Sequence, residues 1–393
     1  MSKKLYIIGV GPGGIELCTE KATSIVRSAD RVMSTRRISE IYPTCQGFVL
    51  AELLEELKRT ITGTTVVLVG GDCCFFSVAS QIVRDFSRLY EIELVNGIGS
   101  IAYFSAKIQI PYDNANLLSL HGKNELIVPR VAYNKKVYAL TGGVFKAHDI
   151  FKELAVAGLG NLKAVVGENL SYPNERVVYG TVSELQTELF DDLAVVYVEN
   201  ENAVEPHAPL RDTDFVRSEK IPMTKEEIRW IALQKLTIFP KNILYDIGAG
   251  TGSVAVEMGR KATEGIVYAI EQNADACELI KQNRVKHGAF NVNIVHASAP
   301  DGLADLPEPD AAFIGGSRGN AESIIKALFE KNPKIRVVAT AVSLQGLHQL
   351  HESLRKFGSG EVETICVNVA RSKRFGSYDM MQAQNPVYIL CKQ

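Results

Sequence analysis

At 393 residues, with 46% hydrophobic and 22% charged residues, the chain reads as globular, with room for two or more separately cored domains. A formal net charge of −2 supplies no basic field, which weighs against nucleic acid as the main partner. Cys18, Cys45, Cys73, Cys74, Cys277, Cys366 and Cys391 form no C-x-x-C pair and mostly sit in apolar runs. They read as core thiols of a reducing cytosol, with no metal site of the protein's own. The apolar run after "MSKK" is too short for a signal peptide and no later run spans a bilayer, so a cytoplasmic protein is expected.

Along the first half, strand-like and helical runs alternate: "KLYIIGV", "TEKATSIVRSA", "TVVLVGG", "VASQIVRDFSRL". That alternation predicts an α/β architecture with largely parallel sheets. Between Glu199 and Pro222 the pattern lapses into a polar stretch with three prolines, which predicts a linker. The expected domains are therefore 1–204 and 205–393. In the second, "TKEEIRWIALQKL" predicts a helix with Thr224 as N-cap and Glu227 completing a capping box. The strands "NILYDIG", "GIVYAIE", "NVNIVHA", "DAAFIGG" and "IRVVATAV" follow, and "GEVETICVNVARS" with "NPVYILCKQ" predicts a closing antiparallel pair.

The stretch "LYDIGAGTGS", residues 244 to 253, joins a strand to a helix through Gly248, Ala249, Gly250, Thr251 and Gly252. Such a turn lets backbone N–H groups approach a cofactor closely. The dinucleotide fingerprint wants a third glycine where Ser253 stands. Glu271, ending the next strand, is placed to take ribose hydroxyls, but dinucleotides and S-adenosylmethionine both carry ribose. Asp246 either braces the loop or touches the cofactor. The loop alone leaves both cofactors open; the antiparallel end of the sheet suits a methyltransferase better than a dehydrogenase.

Longer motifs carry more. "IPMTKEEIR", "DIGAGTGSVAVEM", "AIEQN", "ASAPDGL" and "PDAAFIGGSRGN" make the second half resemble the decarboxylating carbon-15 precorrin methyltransferases of cobalamin biosynthesis. "IIGVGPGG", "VGGDCCFFS", "SLHGK", "LTGGVFKAHDI" and "VGENLSYPNERVVYGTVSEL" make the first half resemble the carbon-5 enzymes of the tetrapyrrole methylase family. The resemblance implies a two-subdomain tetrapyrrole methylase fold followed by a Rossmann-like methyltransferase fold. It also implies a bifunctional enzyme methylating a polycarboxylate tetrapyrrole twice, working as a homo-oligomer away from membranes. S-adenosylmethionine would bind Gly11, Pro12, Asp72, Ser100, Thr141 and Gly142 in the first half. In the second it would bind Thr224, the loop Gly248 to Gly252, Glu271 and Ala299.

On the substrate side the resemblance points to His121 and to Gly315, Gly316, Ser317 and Arg318. The two glycines stand where amine methyltransferases carry an Asn/Asp-Pro-Pro-aromatic motif, and they predict open space for a broad macrocycle. Lys123, Lys146, Arg176, Arg318 and Arg374 are candidates for its carboxylates, while His148 is expected on a helix. Three positions depart from the family pattern: Cys73 replaces the proline of Gly-Asp-Pro, Asn96 to Ser100 replace Pro-Gly-Ile-Ser-Ser, and Ser298 replaces the acid of Gly-Asp-Ala-Pro. Two other classes share parts of this pattern, a nucleic-acid methyltransferase and a nicotinamide-dependent oxidoreductase. The first would need a basic surface, and the second leaves "FIGGSRG" unexplained.

Overall fold

A computed structural model describes residues 3–59, 62–120, 125–143 and 145–392. The chain divides into two compact units, Met1–Glu125 with Lys136–Glu199, and Leu126–Lys135 with Asn200–Gln393.

The first unit contains strands β1 (Lys3–Gly9), β2 (Arg31–Thr35), β3 (Gln46–Phe48), β4 (Gly63–Val69) and β5 (Glu91–Val95), in the order β3-β2-β4-β1-β5. All pairings in this sheet are parallel. Its central strands are runs such as "VVLV" of β4, buried on both faces, as parallel sheets covered by helices require. Leu5, Ile7, Met33 and Val67 pack on one face, and Ile8, Val66 and Leu68 on the other. A second sheet holds β6 (Asn116–Ser119), β7 (Lys136–Leu140), β8 (Lys163–Glu168), β9 (Arg176–Thr181) and β10 (Ala194–Glu199), ordered β6-β7-β10-β8-β9. Apart from the parallel β6–β7 pair it is antiparallel. Two α/β subdomains result, as the resemblance implied.

The second unit carries β11 (Ile243–Ile247), β12 (Ile266–Glu271), β13 (Val292–His296), β14 (Ala311–Ile314), β15 (Arg336–Ala341), β16 (Glu363–Val367), β17 (Ala370–Phe375), β18 (Tyr378–Ala383) and β19 (Val387–Lys392). Seven form one sheet, β13-β12-β11-β14-β15-β19-β16, with β19 antiparallel to both neighbours. This is the Rossmann-like order with an antiparallel end. The chain reverses its direction of travel across the sheet between β11 and β14, so their carboxyl ends open a crevice where such sheets bind ligands. Strands β17 and β18 pair only with each other, as an exposed ribbon.

Two expectations are corrected here. The stretch read as a linker is packed into the second unit: Leu210 and Phe215 join its core. Arg260 Nη2 donates to the carbonyls of Glu205 and Ala208, and Asn283 exchanges hydrogen bonds with the backbone of Val216. Apart from the short 3-10 turn Asp212–Asp214, prolines and polar side chains keep the stretch irregular without preventing its burial. The Thr224 cap is also absent. The helix begins at Glu226 with Lys225 as N-cap and no side-chain cap, which leaves Thr224 one residue outside it and Glu227 at the second helical position, in a bidentate pair with Arg371.

Candidate active sites

In the second unit, the apolar run of β11 ends at Ile247 and the chain turns through three glycines of left-handed backbone, Gly248 (φ +72°), Gly250 (φ +56°) and Gly252 (φ +77°). Close approach reinforces the requirement at two of them. A Cβ on Gly248 would stand 2.7 Å from the Gly316 carbonyl oxygen, and one on Gly250 would stand 2.7 Å from that of Pro222. Helix Ser253–Lys261 then starts behind the loop. Asp246 settles as a brace: fully buried, its Oδ2 accepts the Ala255 N–H at 2.8 Å and Oδ1 has no partner. Burial pushes its carboxyl up to about 7. Glu271 is buried too; Oε2 accepts the Gly250 N–H and Oε1 the Asn273 N–H, each at 2.9 Å.

These groups border a cleft of about 350 Å³ lined by Thr224, Gly248, Ala249, Gly250, Glu271, Ala299 and the whole run from Gly315 to Arg318. Thr251 and Gly252 do not line it: Thr251 is fully buried, and a Cβ on Gly252 would meet Ile280. Their part is in turning the loop. Gly315 is a further correction. Its Cβ would lie 3.2 Å from the Gly248 carbonyl oxygen and 3.2 Å from Phe313, whereas Gly316 and Gly319 have nothing within 4 Å. The open shelf therefore begins at Gly316. Pro222 and Gln272, which sequence reasoning missed, also line the cleft. Pro222 comes from the supposed linker, and Gln272 directly follows Glu271 on the rim; that adjacency was the available signal. With its amide oxygen facing Arg318, Gln272 accepts from Nε at 2.9 Å and Nη1 at 2.7 Å.

In the first unit the loop after β1 lies backbone to backbone against its neighbours. A Cβ on Gly9 would reach the Gly71 carbonyl oxygen at 2.5 Å, and Gly11 (φ +84°) pairs with Gly71 as an isolated bridge. Cys73 fills the place of the usual proline by burial. Its thiol donates to the carbonyls of Ile7 and Val95, and burial pushes it up to about 11, so it is a packing residue. "GENLSYPNER" buttresses the loop: the Gly14 N–H donates to Ser171 Oγ at 2.7 Å, and the Tyr172 ring covers Gly13. A cleft of about 210 Å³ includes Pro12, Ser100 and Thr141, together with Arg37 and Phe76, which the sequence reading did not single out.

Gly11, Asp72 and Gly142 are not among that cleft's lining residues. Asp72 Oδ1 accepts the Cys74 N–H, and Gly142 pairs with Phe145. The Thr141 hydroxyl is consumed by Ala194, donating to its carbonyl at 2.9 Å. Among the basic candidates, Arg176 pairs with Glu168, Lys146 with Asp192 and Arg374 with Asp379. His148 lies on helix Ala147–Ala157. His121 and Lys123 fall outside the described residues.

Two family models divide the chain: tetrapyrrole (corrin/porphyrin) methylases match residues 4–186, and the precorrin methyltransferase domain matches residues 215–392. A probable cobalt-precorrin-6B C(15)-methyltransferase (decarboxylating) of Pyrobaculum calidifontis is 42% identical over 46% of this chain and 92% of its own length. The chain belongs to the decarboxylating precorrin methyltransferases. A precorrin-6Y C(5,15)-methyltransferase [decarboxylating] of Sinorhizobium is 27% identical over 98% of this chain and 95% of its own. A crystal structure titled precorrin-6y C5,15-methyltransferase, from Geobacter metallireducens GS-15, is 39% identical, with TM-score 0.45, over 48% of this chain and 96% of that one.

A pH dependence follows from the burial of Asp246 beneath the Gly248–Gly252 loop. The folded state holds the Asp246 proton up to about pH 7, whereas an ordinary aspartate releases it near 3.8. Its contribution is therefore fully present below that lower value and is lost as pH rises through about 7. The melting temperature of the second unit should fall between pH 5 and pH 8 more steeply in the wild type than in Asp246→Asn. Equal slopes in the two proteins, followed by Trp230 fluorescence, would show that Asp246 titrates normally.

Proposed function

We propose that the chain transfers methyl groups from S-adenosylmethionine to two meso carbons of a precorrin. The first unit would act at carbon 5; the second would act at carbon 15 and release the ring-C acetate carboxyl as carbon dioxide. One observation carries this reading: a loop whose Gly248 and Gly250 leave no room for a Cβ borders the same cleft as Gly316, where a Cβ would have nothing within 4 Å.

When bound, the sulfonium supplies an already activated methyl group, so transfer asks the protein chiefly for a nucleophilic carbon held in line at about 3 Å. The backbone of Gly248 to Gly250 and the Glu271 carboxylate would hold the donor's adenosine end. For the carbon-15 reaction, the bond from the acetate methylene to its carboxyl carbon breaks and carbon dioxide leaves without the bonding pair. That pair enters the conjugated ring; carbon 15 would bond the methyl group while the methyl–sulfur pair stays on sulfur, and a proton lost at carbon 15 is balanced by one taken up at the former acetate methylene. Ile247, Ile270 and Ile324 give the cleft an apolar floor, where an unpaired carboxylate is poorly solvated and its loss is favoured.

The test is incubation with labelled S-adenosylmethionine and metal-free or cobalt precorrins. A product two methyl groups heavier and one carbon dioxide lighter supports the reading; methylation without carbon dioxide release overturns its second half. Titration with S-adenosylhomocysteine should resolve two sites per chain. For oligomeric state and compartment we propose a homo-oligomer of the cytoplasm. The exposed Phe375, Tyr378, Met380 and Met381 of the β17–β18 ribbon and the seven unpaired cysteines support that reading.

Glu271→Ala should weaken donor binding in the second unit roughly ten- to a hundredfold, since a hydrogen bond to a charged group contributes about 1.5–3 kcal/mol. Glu271→Gln should cost nearly as much. Both carboxylate oxygens accept backbone N–H groups, and a glutamine would turn its own NH2 toward one of them. Calorimetry showing full affinity in either variant would remove Glu271 from the donor site.

A further inference from the structure

Arg318 stands at the rim of the second unit's cleft in left-handed backbone (φ +46°), next to Gly319 at φ +90°. The turn thus presents a cation beside the shelf. What orients that cation is unusual for an arginine in a cleft: its described partner is the neutral amide of Gln272, through Nε and Nη1. Among the described residues Arg318 makes no ion pair with a carboxylate. The nearest acid along the chain from Gln272, Glu271, is already committed to the N–H groups of Gly250 and Asn273. A glutamine carbonyl aims a guanidinium without neutralising it. The remaining Nη2 edge keeps its donors and its full charge for an incoming anion.

We infer that Gln272 is a positioning residue whose task is to hold Arg318 as a carboxylate receptor, and that the carboxylate received is one the substrate keeps. This deepens the proposed function and rests on it. The assignment to a retained carboxylate comes from charge accounting. A carboxylate leaving as carbon dioxide gives its charge to the ring, so an ion pair to it would stabilise the ground state and be lost in the transition state. Such a contact would slow the reaction. Arg318 therefore serves a neighbouring acetate or propionate, fixing the rotation of the ring in its plane, while the leaving carboxylate lies over the apolar floor of Ile247, Ile270 and Ile324.

The test uses the full chain, with binding of the precorrin substrate followed by absorbance in the presence of S-adenosylhomocysteine, and with KM and kcat for carbon dioxide release. Arg318→Ala should raise both the tetrapyrrole Kd and KM roughly ten- to a hundredfold, as loss of a charged hydrogen bond does, with a far smaller fall in kcat. Gln272→Glu should approach that loss, because the new carboxylate occupies the guanidinium, whereas Gln272→Leu should be milder. A merely structural glutamine would give the opposite order, since Glu is the closer shape. Unchanged tetrapyrrole affinity in Arg318→Ala overturns the inference, as does a collapse of kcat at constant KM, which would place Arg318 on the leaving group. A wild type that binds S-adenosylhomocysteine but no precorrin would instead overturn the proposed function.

Discussion

Gly316→Leu is expected to abolish carbon dioxide release while S-adenosylhomocysteine still binds, and Gly248→Val is expected to lose the donor itself. The two glycines are neighbours across the carboxyl ends of β14 and β11, yet their surroundings are opposite. A side chain at Gly316 enters open space, with nothing within 4 Å of its Cβ. The backbone there can accept leucine, and what it fills is the room proposed for the macrocycle. At Gly248 the Cβ would stand 2.7 Å from the Gly316 carbonyl oxygen and 3.0 Å from its nitrogen, with φ at +72°. Left-handed backbone costs a side-chain-bearing residue about 1–2 kcal/mol, and a branched one more. The clash adds to that, so the loop must move and the N–H groups lose their aim. Calorimetry with S-adenosylhomocysteine and a carbon dioxide assay on each variant separate these outcomes. If Gly316→Leu loses donor affinity in step with turnover, the shelf serves the donor and the macrocycle lies elsewhere.

Arg229→Leu should produce the largest destabilisation of the second unit, about 3–5 kcal/mol, the usual penalty for removing one member of a buried ion pair. Arg229 has no exposed surface. Its guanidinium meets Glu257 through Nε, Asp212 at 3.2 Å, and the carbonyls of Thr224 and Leu210 at 2.7 and 2.8 Å. Burial pushes the Glu257 carboxyl up in spite of that partner. Removing the arginine leaves two buried acids and frees the segment carrying Pro222 and Thr224 to the cleft. Trp230, the chain's single tryptophan, adjoins the site and reports this unit directly in a denaturant titration. Adding Glu257→Leu should recover part of the loss, because fewer charges are then stranded. A single-variant cost below about 1 kcal/mol, the range of exposed pairs, would contradict this account.

Much of this architecture was legible because its signals are local. Alternating apolar runs of strand and helix length place β11 to β15 almost where they fall, since a parallel strand covered on both faces has to be apolar throughout. The glycines of the β11 loop and the placement of Glu271 beside it were readable for a related reason. Positive φ and close backbone approach exclude side chains, and the end of the second strand delivers its last residue to the same edge as the end of the first. Side-chain partners were not legible in this way. The local pattern gives Glu227 a cap within its own turn, but it pairs with Arg371, 144 residues away. Arg229 sits in "KEEIRW", which reads as the charged face of a helix, and the packing of residues 205–222 and of Glu257 against that face buries it. Gly315 and Gly316 are indistinguishable as letters; the position of the β11 loop makes one a contact and the other a space. The run from Leu126 to Lys135 lies within the first half of the chain yet belongs to the second unit, where Tyr133 donates to Asn291 and Arg130 pairs with Glu264. Each of these depends on which distant surface covers a residue, and a local pattern does not carry that information. What the sequence determined by itself was the order of strands and helices and the glycine turn after β11. The tertiary structure alone decided which charges are buried, which glycine opens the shelf and which amide aims Arg318.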